Sequence, residues 1–100
     1  MYRRVITWTR PSDEFAWPWD DAVSNETIDG LWGAMVLASG FLGKSNVTDT
    51  LNEIANNNDW ASWEDWNNFD NDPTVVALHA TLDSILATSN ITRTITEVYI

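Results

Sequence analysis

Asp72-Pro-Thr-Val-Val-Ala-Leu-His-Ala-Thr-Leu-Asp-Ser-Ile-Leu-Ala-Thr-Ser-Asn90, followed by Ile91-Thr-Arg-Thr-Ile-Thr-Glu-Val-Tyr-Ile100, is the stretch that decides the fold. Asp72 has the short acceptor side chain of a helix N-cap, and Pro73 suits the first helical position, where its missing N–H costs nothing. Val75, Leu78, Leu82, Ile85 and Leu86 recur at helical spacing and make one apolar stripe. The pattern stops at Thr88-Ser89-Asn90, and Asn90 tolerates the left-handed backbone that ends a helix. Ile91 to Ile100 then alternates β-branched with polar residues, which predicts a closing strand.

Upstream, Ser62 can cap a short helix with Trp63, Trp66 and Phe69 on one side and Glu64 and Asp65 in the first turn, where the helix dipole favours acids. Trp60 extends that series. Asn56-Asn57-Asn58-Asp59 has the composition of a turn or loop. Residues 44–61 admit two readings: Val47, Leu51, Ile54 and Ala55 would suit a helix, whereas Thr48-Asp49-Thr50 between two short β-like pieces would suit a hairpin. The hairpin is preferred, because strands at both ends of the chain need partners and two alone are marginal. A long helix before it is capped by Ser24 or Asn25, buries Ile28, Leu31, Trp32, Met35, Ala38, Ser39 and Leu42, and should stop at Gly43. Gly30 and Gly33 would let a neighbouring backbone come close. Residues 11–23 form a loop, and residues 2–10 a strand whose faces are both mixed.

The order is thus strand, helix, two strands, short helix, long helix, strand. That is the split βαβ arrangement of the ferredoxin-like fold, α+β, with two long helices on one face of a four-stranded antiparallel sheet. The other face would be open, the usual route by which such domains dimerise. One hundred residues make a single domain, 1–100.

Composition excludes several classes. The formal charge of −10 argues against nucleic acid and against an anionic membrane surface. No run approaches the roughly 18 apolar residues of a membrane helix, and the opening residues do not make a signal peptide. With no cysteine there is no disulfide or thiolate metal site. No glycine-rich phosphate loop and no nucleophile constellation is present, and no cofactor is expected.

Four groups of residues remain as candidates. His79, the single histidine, lies at the edge of the apolar stripe; it could be a general base facing a pocket, or a structural histidine. Asn68, Asp70 and Asp72 alternate like the start of a calcium loop, but Pro73 and His79 occupy the sixth and twelfth positions, where that loop needs Gly and Glu, so a turn and an N-cap account for them. Phe15, Trp17 and Trp19 place three large aromatics in irregular backbone, and with Trp8 they are candidate interface residues, with core anchoring an equal reading for Trp17 and Trp19. Trp63, Trp66 and Phe69 suit a core.

Two resemblances follow. Ser62-Trp-Glu-Asp-Trp-Asn-Asn-Phe-Asp-Asn-Asp72-Pro73 and the helix after it resemble the dimeric α+β barrel proteins that include antibiotic-biosynthesis-type monooxygenases. That implies a small enzyme without a cofactor, with an apolar Trp-lined pocket near His79. Residues 2–11, 62–69 and 90–96 resemble short proteins of tailed marine phages. That implies a chain made in the host cytoplasm, with the virion as a destination. The expected function is non-catalytic assembly, as a virion component that associates with itself or a larger structure through sheet surface and loop tryptophans. The small barrel enzyme is the alternative. A pocket of several hundred cubic ångströms containing His79 would favour the enzyme.

Overall fold

Asp72 does cap the helix that follows it: its Oδ1 accepts from the backbone N–H of Thr74 at 2.9 Å and of Val75 at 3.4 Å. In the computed structural model, which describes residues 1–100, this helix runs Pro73–Thr88. Asn90 takes the left-handed conformation (φ 56°) that turns the chain into the last strand. The elements in chain order are β1 (Tyr2–Thr9), a single 3₁₀ turn (Pro18–Asp20), α1 (Ala22–Leu37), β2 (Phe41–Asp49), β3 (Glu53–Trp60), α2 (Trp63–Asp70), α3 (Pro73–Thr88) and β4 (Thr92–Tyr99). The sheet order is β2-β3-β1-β4 and every pairing is antiparallel. The architecture is the ferredoxin-like α+β arrangement expected from the sequence. The hairpin reading of residues 44–61 is the correct one, with its turn at residues 50–52 rather than 48–50.

Register fixes what the helices cover. Tyr2, Arg4, Ile6 and Trp8 of β1 point to the helical layer, opposite Trp60, Asn58, Asn56 and Ile54 of β3. Their neighbours Arg3, Val5 and Thr7 share the other face with Ala55, Asn57, Asp59, Thr94, Thr96 and Val98. One core cluster joins Tyr2 and Trp60 of the sheet to Leu31 of α1, Phe69 of α2 and Val75, Leu82 and Leu86 of α3.

Four local expectations are corrected. Helix α1 ends at Leu37, because Ala38 is already extended and Gly40 adopts φ +84°. Ala38, Ser39 and Leu42 therefore leave the helix, and Gly43 (φ +130°) instead sits at a register shift within β2. The cap of α1 is Asp21, whose Oδ2 accepts from Ser24 N–H at 2.9 Å. The close approach at Gly30 is to Leu78 of α3, while nothing approaches Gly33. Most consequential, Asn56-Asn57-Asn58-Asp59 is strand, not turn. Strands β1 and β2 flank it and pair with its backbone on both sides, which overrides a weak intrinsic preference. Asp59 on the far face is held by Arg3, Nε to Oδ1 at 2.7 Å and Nη2 to Oδ2 at 3.0 Å.

Candidate functional site

A cavity of about 540 Å³ lies between the helix-facing side of the sheet and helices α1 and α3. Its floor is two cross-strand rows, Lys44–Asn58–Arg4 and Asn56–Ile6–Ile95. Ile28, Leu31, Trp32 and Met35 of α1 form one side of its roof, and His79, Leu82 and Asp83 of α3 the other. Trp8 and Trp19 meet edge to face at 6.1 Å at one end, and Trp66 and Phe69 stand at the end near Tyr2.

The polar groups on this wall are organised in pairs. Arg4 lies over Trp66, its guanidinium carbon 4.1 Å from the ring centroid, and donates to the Tyr2 hydroxyl at 3.0 Å and to Glu97 Oε1 at 3.3 Å. The Tyr2 hydroxyl in turn donates to Glu97 Oε1 at 2.6 Å, and burial first, then this bond, pushes its pKa up to about 12. Arg93 donates to Asp83 Oδ1 at 2.6 Å. Lys44 sits over Trp32 at 5.2 Å.

His79 is half-buried at the cavity wall, its Nδ1 3.5 Å from Asp70 Oδ1. Burial pushes its pKa below the usual histidine value, and the Asp70 carboxylate opposes that only in part. The imidazole is thus neutral at pH 7 and able to accept a proton from a molecule in the cavity. This is the geometry under which His79 would serve as a base.

The other sequence candidates fare differently. Trp17 is only 4 % exposed and belongs to the core cluster. It stacks on Trp19 at 5.0 Å, with Arg10 4.7 Å over its ring. Trp8 and Trp19 line the cavity. Phe15 is partly buried, and its carbonyl accepts from Arg10 Nη1 at 2.7 Å. The loop aromatics expected at an interface therefore anchor residues 11–21 onto the domain, because a guanidinium and a second indole are available to cover them. Asn68 and Asp70 lie in α2, and Asp72 spends its carboxylate capping α3. No group of three or more His, Cys, Asp or Glu side chains gathers as a metal site would require. No helix is long and apolar enough to cross a membrane.

Sequence reasoning missed Asn56 and Asn58, along with Arg4, Lys44 and Arg93. The period-2 placement of Ile54, Asn56, Asn58 and Trp60 was the available signal, hidden by the turn-like composition of the asparagine run.

No protein-family model and no curated protein matches the chain. Among solved structures, the cofactor-independent oxygenase SnoaB from Streptomyces nogalater aligns over 99% of this chain and 91% of its own, with a TM-score of 0.69 and 11% identity. A proposed antibiotic biosynthesis monooxygenase from Deinococcus radiodurans aligns over 100% and 92%, with a TM-score of 0.68 and 14% identity. Another from Nitrosomonas europaea aligns over 100% and 98%, with a TM-score of 0.66 and 10% identity. These neighbours overturn the expectation of a non-catalytic virion assembly protein. Its physical supports fail as well: the terminal strands pair with each other, and the loop tryptophans are packed or line a cavity. None of the neighbours bears on the tailed-phage resemblance. At these identities the likeness is one of fold, and the chain has the ferredoxin-like fold of the antibiotic biosynthesis monooxygenases.

Proposed function

We propose that this chain is a small oxygenase-type enzyme that takes an apolar aromatic substrate into the cavity between sheet and helices. The observation that carries the reading is the cavity itself: several hundred cubic ångströms, walled by Trp8, Trp19, Trp32 and Trp66, with the neutral His79 on its α3 side. Indole walls gain dispersion and apolar burial from a planar ring system and exclude water from it. His79 takes the proton from a methylene made acidic by flanking rings or a carbonyl. The carbanion supplies the electrons that reduce O₂, one carbon–oxygen bond forms, and His79 returns the proton to the peroxide. Loss of water leaves a ketone, so that R₂CH₂ + O₂ gives R₂C=O + H₂O and the substrate is the only reductant.

The test is oxygen uptake by the purified protein with a polycyclic aromatic ketone bearing an activated methylene, beside His79→Asn. One O₂ consumed per ketone formed, and a kcat about 10²-fold lower in the variant with unchanged substrate Kd, are the expected results. Binding of the aromatic without oxygen uptake, or uptake indifferent to His79→Asn, would overturn the reading.

The reading includes a second copy of the chain. The helices cover one sheet face only, and the other carries Val5, Thr7, Thr94, Thr96 and Val98 with Ala55 at its centre. That uncovered sheet face supports a homodimer in which two copies pair face to face, and light scattering on the purified protein would return twice the chain mass.

A further inference from the structure

The chain has seven tryptophans and two tyrosines, and the two tyrosines touch. One run of neighbouring rings leads from the cavity to solvent. Trp66 stands at the cavity wall. Tyr2 lies 5.5 Å from it, centroid to centroid, and Tyr99 lies 5.2 Å from Tyr2. Tyr2 is 1 % exposed and Tyr99 66 %. Aromatic rings this close exchange electrons by tunnelling.

The surrounding charges decide which ring would give up an electron for good. Three indoles of the wall each have a cation above them: Arg4 over Trp66 at 4.1 Å, Lys44 over Trp32 at 5.2 Å and Arg93 over Trp8 at 5.6 Å. An indole that loses an electron becomes a cation itself, and a neighbouring cation raises the energy of that state. Tyr2 differs. Its hydroxyl donates to Glu97 Oε1 at 2.6 Å, so the phenolic proton can leave with the electron and the ring stays neutral. Its pKa, pushed up to about 12, keeps the phenol protonated until then. Arg4 already donates to the Tyr2 oxygen at 3.0 Å and can keep that bond to the radical. Glu97 is exposed and exchanges its proton with water.

We propose that Trp66, Tyr2 and Tyr99 form a relay that carries oxidising equivalents out of the cavity, with Glu97 as its proton acceptor. This rests on the chain being an oxygenase, and it gives the site a way to survive failed turnovers. A substrate radical that escapes and combines with O₂ is an organic peroxyl radical. It takes one electron from Trp66 and one proton from water and becomes a hydroperoxide. Tyr2 returns one electron to Trp66 while its O–H bond breaks and the proton passes to Glu97. Tyr99 then reduces Tyr2, which recovers its proton from Glu97, and the Tyr99 phenol loses its own proton to solvent. A small-molecule reductant such as ascorbate restores one electron and one proton to Tyr99.

The test loads the cavity with anthraquinone, a planar photo-oxidant that takes one electron from an adjacent ring when illuminated. Binding is measured by titration. Radicals are identified by electron paramagnetic resonance after rapid freezing, in the wild type, Tyr2→Phe, Tyr99→Phe and Glu97→Gln. The wild type should show a tyrosyl radical. Tyr99→Phe should keep it, on the buried Tyr2, with a several-fold slower decay in ascorbate. Tyr2→Phe should lose it, although Tyr99 is present, and show a tryptophanyl radical instead. Glu97→Gln should cut the tyrosyl yield several-fold.

If Tyr2→Phe does not fold, the wild type and Tyr99→Phe decide, because a tyrosyl radical that vanishes with Tyr99 was formed at the surface. That result, a tyrosyl radical surviving in Tyr2→Phe, or a tryptophanyl radical alone in the wild type would overturn the relay and leave the oxygenase reading intact. Failure of anthraquinone to bind would overturn the aromatic-substrate reading and the relay with it.

Discussion

Trp17 gives the sharpest test of how the irregular segment between β1 and α1 is held. In the structure its indole is 4 % exposed, stacked face to face on Trp19 at 5.0 Å and covered by the Arg10 guanidinium at 4.7 Å. Truncation to alanine removes the buried ring, the stack and the cation–π contact together. Large-to-small changes at buried tryptophans cost about 3–5 kcal/mol. A domain of this size is stable by only about 5–15 kcal/mol. At roughly 5 °C per kcal/mol for 100 residues, Trp17→Ala should lower Tm by about 15–25 °C. Trp63, also an indole but 40 % exposed, is the internal control, since its truncation should cost about 1 kcal/mol or less. The assay is urea and thermal unfolding followed by far-ultraviolet circular dichroism, which does not depend on the other tryptophans. If Trp17→Ala unfolds with the wild-type midpoint while the protein's association changes, then the aromatic loop serves a surface after all and the packing argument is wrong.

Gly40 combines a positive φ with a Cβ direction that runs into the Asp65 carboxylate, so Gly40→Ala should destabilise by about 2 kcal/mol or more in the same unfolding assay. Gly33 is mid-helix with open space around it, and Gly33→Ala should raise stability by about 0.5–1 kcal/mol. The pKa of His79 is held below the unfolded value of about 6.5 by burial. The unfolded chain therefore takes up its proton first, and Tm should fall as pH drops from about 6.5 to about 5, above the range where Asp59 and Asp21 titrate, and His79→Asn should remove the fall in that window.

The legible parts of the fold were those where local chemistry and tertiary context agree. Asp72 with Pro73, Ser62, and Asn90 each mark a boundary by a mechanism confined to a few residues, and each sits where the sequence placed it. The asparagine run at residues 56–58 was misread because its conformation is imposed by pairing on both sides, with the hairpin partner β2 and with β1, which is some fifty residues away in sequence. The cavity was legible only as a condition on His79. Its polar floor depends on the register between strands, and a one-residue slip would send Lys44, Asn58 and Arg4 to the opposite face. Trp17 was undecidable from the sequence for a related reason: whether a loop aromatic is buried depends on Arg10 and Trp19 folding over it.

The placement of β1 also sets the order in which the domain can form. The first strand of the chain lies inside the sheet, and its two neighbours begin at Glu53 and Thr92. Tyr2 must find Trp60 on one side and Tyr99 on the other. Loops of that length close at an entropic cost before any pairing compensates it, so this domain belongs with the slower small folders, in milliseconds rather than microseconds. Until β4 arrives, β1 presents an unpaired edge rich in β-branched and aromatic residues. That edge is the segment most exposed to pairing with another chain during synthesis. Arg3 and Arg4, next to Val5 and Ile6, place charge within that edge during the interval.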